Sequence, residues 1–184
     1  MKKIVLTFGL ISGAMASLMM LATLPFVERI GFDYALVIGY TTIVLSFIMV
    51  FFGIRSYREN IGGGYITFGK AFAVGILITL ISCVLYVGTW EALYWKFMPD
   101  FAEKCFQHAV DQTIASGAST EVVAAKVQEM KEFAEMYKNP FINVAFTFME
   151  PFPVGLLITL ISAAILRRKP KADNQMATQA EVRA

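Results

Sequence analysis

The sequence predicts an all-α membrane protein: a bundle of four transmembrane helices with an amphipathic helical hairpin on the outer face, between the third and fourth spans. Three observations lead there: the composition, four long runs nearly free of charge, and the uneven placement of the cations. Of 184 residues, 57% belong to the set AVILMFWYC and only 16% are charged. Soluble domains average roughly 45–50% apolar and about 25% charged. The mean hydropathy is +0.61. These values exclude a disordered chain, a disulfide-stapled secreted module and a basic nucleic-acid binder.

A bilayer crossing takes about 20 helical residues. The expected spans are 4–27, 34–54, 71–95 and 141–166. The first two carry no charge. The third is apolar from Ala71 to about Trp90 and ends in Glu91, Leu93, Tyr94 and Trp95. The fourth is interrupted by Glu150, Pro151 and Pro153. Because lipid offers no hydrogen-bond partners to the backbone, such runs must be helical; a barrel would need alternating segments of about ten residues. Residues 1–168 therefore form one membrane domain, and 169–184 form a polar, disordered cytoplasmic tail.

Cations set the orientation. The termini and the loop Arg55–Lys70 together carry ten Lys and Arg against three acids, net +7, whereas the opposite side carries six against nine, net −3. The positive-inside rule then puts both termini in the cytoplasm. Lys2, Lys3 and Ala14-Met15-Ala16 imitate a secretory signal. The apolar run continues to Val27, though, beyond the 7–15 residues of a signal core, so the first helix is expected to be retained.

The outer segment 97–139 reads as two amphipathic helices. Pro99 suits a first helical position, and Phe101, Cys105, Val110 and Ile114 recur at helical spacing. Ser116-Gly117 ends that helix, Ser119 or Thr120 caps the next, and Val123, Val127, Met130, Ala134 and Tyr137 form its apolar stripe. Asn139-Pro140 ends it in turn.

Small and hydroxyl residues recur about every four positions on each span: Gly9 and Gly13; Gly39 and Ser46; Gly75, Thr79 and Ser82; Gly155, Thr159 and Ser162. At that spacing helix backbones approach closely, and hydroxyls can bond across. These stripes are expected to face one another, with a homodimer through Gly9 and Gly13 as the alternative use. The nine residues Val74–Ser82 recur at Val154–Ser162 with eight identities. In the expected topology the copies run in opposite directions. Some transporters are built from inverted repeats of this kind, but here shared packing needs explain a match confined to one helix.

Residues that carry chemistry are few. Glu91 and Glu150 are candidate intramembrane acids, because a carboxylate inside a span is costly and by default suggests function. Together they would form a proton or cation site; otherwise Glu91 reaches interfacial water and Glu150 pairs locally. Gly64-x-x-x-x-Gly69-Lys70 imitates a phosphate-binding loop, but Ala71 replaces the hydroxyl residue and no strand precedes it, so no nucleotide is expected. Cys105, His108 and Asp111 lack a fourth metal ligand, and no metal or cofactor is expected. No nucleophile–base pair or catalytic motif occurs, so the chain reads as a non-enzyme. Its expected partners are the lipid bilayer and a second copy or another membrane protein, not nucleic acid.

The pattern Gly64-x-x-Thr67-Phe68-Gly69-x-Ala71-Phe72-x-x-Gly75, opening the third span, resembles an uncharacterised bacterial family of small integral membrane proteins, a domain of unknown function. The similarity extends from Lys2 to about Arg168. It implies a four-helix inner-membrane protein and brings no activity, cofactor or site residues. Function is left between a non-enzymatic accessory or scaffold protein and a small proton- or cation-coupled transporter using Glu91 and Glu150.

Overall fold

Every regular element is a helix among residues 1–169, which a computed structural model describes. α1 (Lys2–Thr23) passes through a single 3-10 turn at Pro25 into the short α2 (Val27–Ile30). Two helices, α3 (Phe32–Ser46) and α4 (Ile48–Asn60), share the second apolar run. The long α5 (Phe68–Phe97) starts at Thr67, whose hydroxyl accepts a hydrogen bond from the Lys70 amide. α6 (Phe101–Ala115) and α7 (Thr120–Tyr137) follow and pack on each other. α8 (Pro140–Met149) and α9 (Pro151–Leu166) return along α5. Four helical stretches are long and apolar enough to cross a membrane: Lys2–Ile30, Phe32–Asn60, Phe68–Phe97 and Pro140–Leu166. The expected tail lies, except for Lys169, outside the described residues.

α5 is the axis of the molecule; α1, α4, α8 and α9 all pack against it. α1 runs parallel to it. Ser82 Oγ donates to the Gly9 carbonyl at 3.1 Å, and Thr89 Oγ1 to Ser17 Oγ at 2.9 Å. A Cβ on Gly9 would stand 2.8 Å from Ile81, and one on Gly13 2.7 Å from Leu85. Both glycines of the first span are thus used inside the chain. α8 and α9 run antiparallel to α5, as the pairs Trp90–Asn143, Tyr86–Glu150 and Thr79–Thr159 show.

The repeated nonapeptide packs against its own copy. Thr79 and Thr159 share a hydrogen bond of 3.1 Å between their hydroxyls. A Cβ on Gly75 would meet the Thr159 methyl at 2.7 Å, and a Cβ on Gly155 would meet the Thr79 methyl at 2.5 Å. Each glycine receives the threonine of the other helix. The same glycine–threonine spacing serves both sides of an antiparallel seam, which gives the echo a packing reason. Ser82 and Ser162 are buried beside it.

One break departs from the expected spans, and a second falls where the prolines interrupt the fourth. At Phe47 the second run divides: Ser46 Oγ turns back to the Ile43 carbonyl at 2.8 Å, and the Val50 amide bonds the Phe47 carbonyl three residues before it. The fully buried Phe47 ring lies against Gly155, where a Cβ would come within 2.8 Å of its Cζ. The fourth run divides at Glu150. Pro151 and Pro153 have no amide hydrogen, so the Thr147 and Met149 carbonyls receive no helical hydrogen bond.

Smaller differences concern the outer segment. Pro99 lies before α6 rather than inside it, with Asp100 at the cap position, and Ile114 is exposed although its spacing put it on the apolar face. Ser119 caps α7, accepting from the Val122 amide. Asn139 caps α8, whose first residue is Pro140. At the opposite end Gly63 and Gly64 adopt positive φ, and Ile66 exchanges two backbone hydrogen bonds of 3.0 and 2.9 Å with Arg168. That pairing and the Arg58 bond to the Leu166 carbonyl bring the ends of α4 and α9 together with the start of α5. A basic end results, gathering Arg55, Arg58, Lys70, Arg167 and Arg168.

Candidate functional site

At the end that carries α6 and α7 the helices part around a cavity of about 670 Å³. Its walls come from the last turns of α1, from α3, from Tyr86 and Trp90 of α5, and from α8; α6 lies across it with Phe101, Cys105 and His108 turned inward. The lining is mainly aliphatic and aromatic. Gly39 explains why the space exists: nothing lies within 4 Å of where its Cβ would be. It therefore borders the cavity, whereas its spacing had put it in a packing stripe.

Glu150 lines the cavity at the break between α8 and α9. Tyr86 Oη donates to its Oε2 at 3.0 Å, and its other oxygen receives no hydrogen bond from a described residue. Just beyond, the fully buried Asn143 ties α8 to α5 and α7. Its Oδ1 accepts from Trp90 Nε1 at 2.9 Å and from Thr147 Oγ1 at 3.3 Å, and its Nδ2 donates to the Tyr137 carbonyl. An aromatic layer continues outward: Trp90 stands edge-on to Phe101 at 5.0 Å, and Tyr137 edge-on to Tyr94 at 5.5 Å. Burial pushes the Tyr137 phenol up.

α6 is held across the opening by polar contacts spaced four residues apart on one of its faces. Lys104 pairs with Glu28 at 2.6 Å, His108 Nε2 approaches Asp33 Oδ1 at 3.6 Å, and Gln112 donates to both Asp33 oxygens. The Glu28 carboxylate raises the Lys104 ammonium above its ordinary value, first by its hydrogen bond and then by its charge. Phe32 stacks on the His108 ring at 4.8 Å. Burial pushes the Cys105 thiol up to about 11, so at neutral pH it is a protonated, unreactive thiol.

The two candidate acids do not adjoin. Glu91 is not among the residues lining the cavity; its Oε2 accepts from Trp95 Nε1 at 2.8 Å on its own helix, and its Oε1 is buried with no partner among the described residues. Nor do the three residues once weighed as metal ligands converge. Asp111 is exposed and takes a hydrogen bond from Gln107, and no group of three or more metal-binding side chains occurs among the described residues. Both cysteines are free, Cys83 buried in α5 and Cys105 at the cavity.

Sequence reasoning missed Tyr86 and Tyr40, which both line the cavity, and also Asn143 and the α6 contacts to Asp33. A signal existed for two of them. Tyr86 follows Thr79 by seven residues, on the same helix face, and an amide such as Asn143 inside an apolar run calls for a partner across the interface.

With this geometry in view, the comparisons are decisive on one point. Residues 7–168 match the family described as protein of unknown function (DUF4199). The chain belongs to that family. Its match takes in every residue of the cavity and of the glycine–threonine seam. No curated protein and no solved structure matches the chain.

Proposed function

We propose that this DUF4199 protein is a non-enzymatic accessory protein of a bacterial inner membrane that binds a small, largely apolar molecule beneath α6. In this reading both termini are cytoplasmic, α6 and α7 lie outside, and the four spans form a bundle. The cavity carries the proposal. Its size lies within the roughly 300–1,000 Å³ of small-molecule sites, and like them it combines apolar walls with a few polar groups, here Glu150, Tyr86 and Tyr40. The segregation of Arg and Lys to the end bearing the termini supports the orientation.

A neutral, environment-sensitive apolar dye tests this in lipid nanodiscs. Saturable binding of one dye per chain, lost in Gly39→Phe, is the expected result. The phenylalanine would fill open space without touching the packed seam. Dye uptake that does not saturate, or that is unchanged in Gly39→Phe, would overturn the reading.

A second reading, a proton- or cation-coupled carrier, draws on the breaks at Phe47 and at Glu150-Pro151, since discontinuous helices often flank transport sites. It requires a second conformation, because the side chains of Val50, Ile54, Ile78 and Thr159 fill the basic-end half. If it holds, Glu150→Gln and Glu91→Gln abolish pH-dependent flux in proteoliposomes; unchanged flux in both removes it.

A further inference from the structure

Resting on the reading of the cavity as a ligand site, we infer that its ligand is an organic cation: an ammonium head with an apolar body, seated with the head at Glu150 beneath α6. Among the described residues two acids line the cavity, Glu150 at the helix break and Asp33 near α6, and no lysine or arginine does. The nearest cation on α6, Lys104, is occupied by Glu28. His108, the one basic side chain among the described residues of the lining, faces Asp33 at 3.6 Å rather than Glu150.

Hydrogen-bonding capacity points the same way. Tyr86 already donates to Oε2 of Glu150, which leaves the other carboxylate oxygen as an acceptor in search of a donor. An ammonium N–H supplies that donor together with compensating charge. Aromatic side chains line the surrounding wall, Tyr40, Tyr86 and Trp90 among them, and such rings attract a cation placed over their faces. A bare metal ion is a poor fit. Hard cations take about six or more oxygen ligands, whereas here one carboxylate and a few hydroxyls stand in an apolar chamber. The remaining walls, with Met19, Met20, Ile43 and Met149, offer apolar volume that an inorganic ion leaves unfilled.

Chain-matched probes separate the headgroup from the tail. The protein has two tryptophans, so Trp95→Phe leaves Trp90 of the cavity wall as the sole tryptophan, read by excitation beyond the tyrosine band. In phosphatidylcholine nanodiscs, ω-bromoundecylammonium, a primary ammonium, is titrated beside ω-bromoundecanol and ω-bromoundecanoate as contact quenchers. At matched bilayer concentrations the ammonium probe is expected to quench with an affinity about tenfold or more above the other two, as a hydrogen-bonded or paired charge implies. Glu150→Gln, which keeps an acceptor for Tyr86, should erase that preference while still binding the neutral dye. Equal affinity for all three heads, or a preference that survives Glu150→Gln, would overturn the cationic ligand yet leave the cavity reading intact. Absence of saturable quenching by every probe, together with loss of dye binding, would instead overturn the cavity reading itself. The comparison of headgroups needs no variant at Glu150, so it decides the matter even if that substitution impairs folding.

Discussion

The two halves of the molecule use the same residue types to opposite ends. Toward the basic end, Gly75 and Gly155 each admit the other helix's threonine, and Val50, Ile54, Ile78, Thr79 and Thr159 are fully enclosed. Toward the α6–α7 end, Gly39 faces empty space, and Tyr86 and Glu150 reach across a chamber rather than a seam. The same glycine is a packing device where a partner side chain fills its notch and a cavity wall where none does. Phe47 and the Glu150-Pro151 break stand at the border, where the second and fourth spans both lose helical continuity. Below that border the interior is packed, and above it the helices enclose a cavity.

Substitutions sharpen this contrast when unfolding free energies are measured in mixed micelles. Gly155→Val has the largest expected effect, destabilisation of about 3 kcal/mol, because its first carbon already collides with Thr79 and Phe47. A loss below about 1 kcal/mol would mean that the seam is looser than described. Asn143→Ala comes next at about 2 kcal/mol, since it strands the buried Trp90 donor; a near-neutral result would show that this amide does not hold α8 to α5. Thr159→Ala should cost about 1 kcal/mol, the order measured for hydroxyl bonds between membrane helices. The smallest change has the opposite sign. Gly39→Ala should leave stability unchanged or raise it by up to about 1 kcal/mol, through helix propensity alone. Destabilisation there would mean that Gly39 packs against something after all.

Much of the architecture was legible in the sequence because the constraints that set it are one-dimensional. Four apolar runs dictate four helices long enough to span a membrane, and the small-residue spacing dictates close approach at Gly9, Gly13, Gly75 and Gly155. The candidate site was half legible. Glu150 stood out as a carboxylate in an apolar run, but Glu91 stood out equally, and only the fold separates them. One lines the cavity with Tyr86; the other pairs with Trp95 on its own helix. Gly39 had the right spacing for a seam and no partner to fill it, which spacing cannot reveal. The cavity arises from what the neighbouring helices fail to supply, and a pattern along one helix carries no record of that.

The contrast between the halves can be read in one labelling experiment. An apolar diazirine photoprobe is activated in nanodiscs containing the protein, and the adducts are mapped by peptide mass spectrometry. This account predicts adducts on Glu150 and on Tyr40 or Tyr86, suppressed in Gly39→Phe, and none on Val50, Ile78 or Thr159. Labelling of the glycine–threonine seam at the same level as Glu150, or adducts at Glu150 that persist in Gly39→Phe, would contradict it.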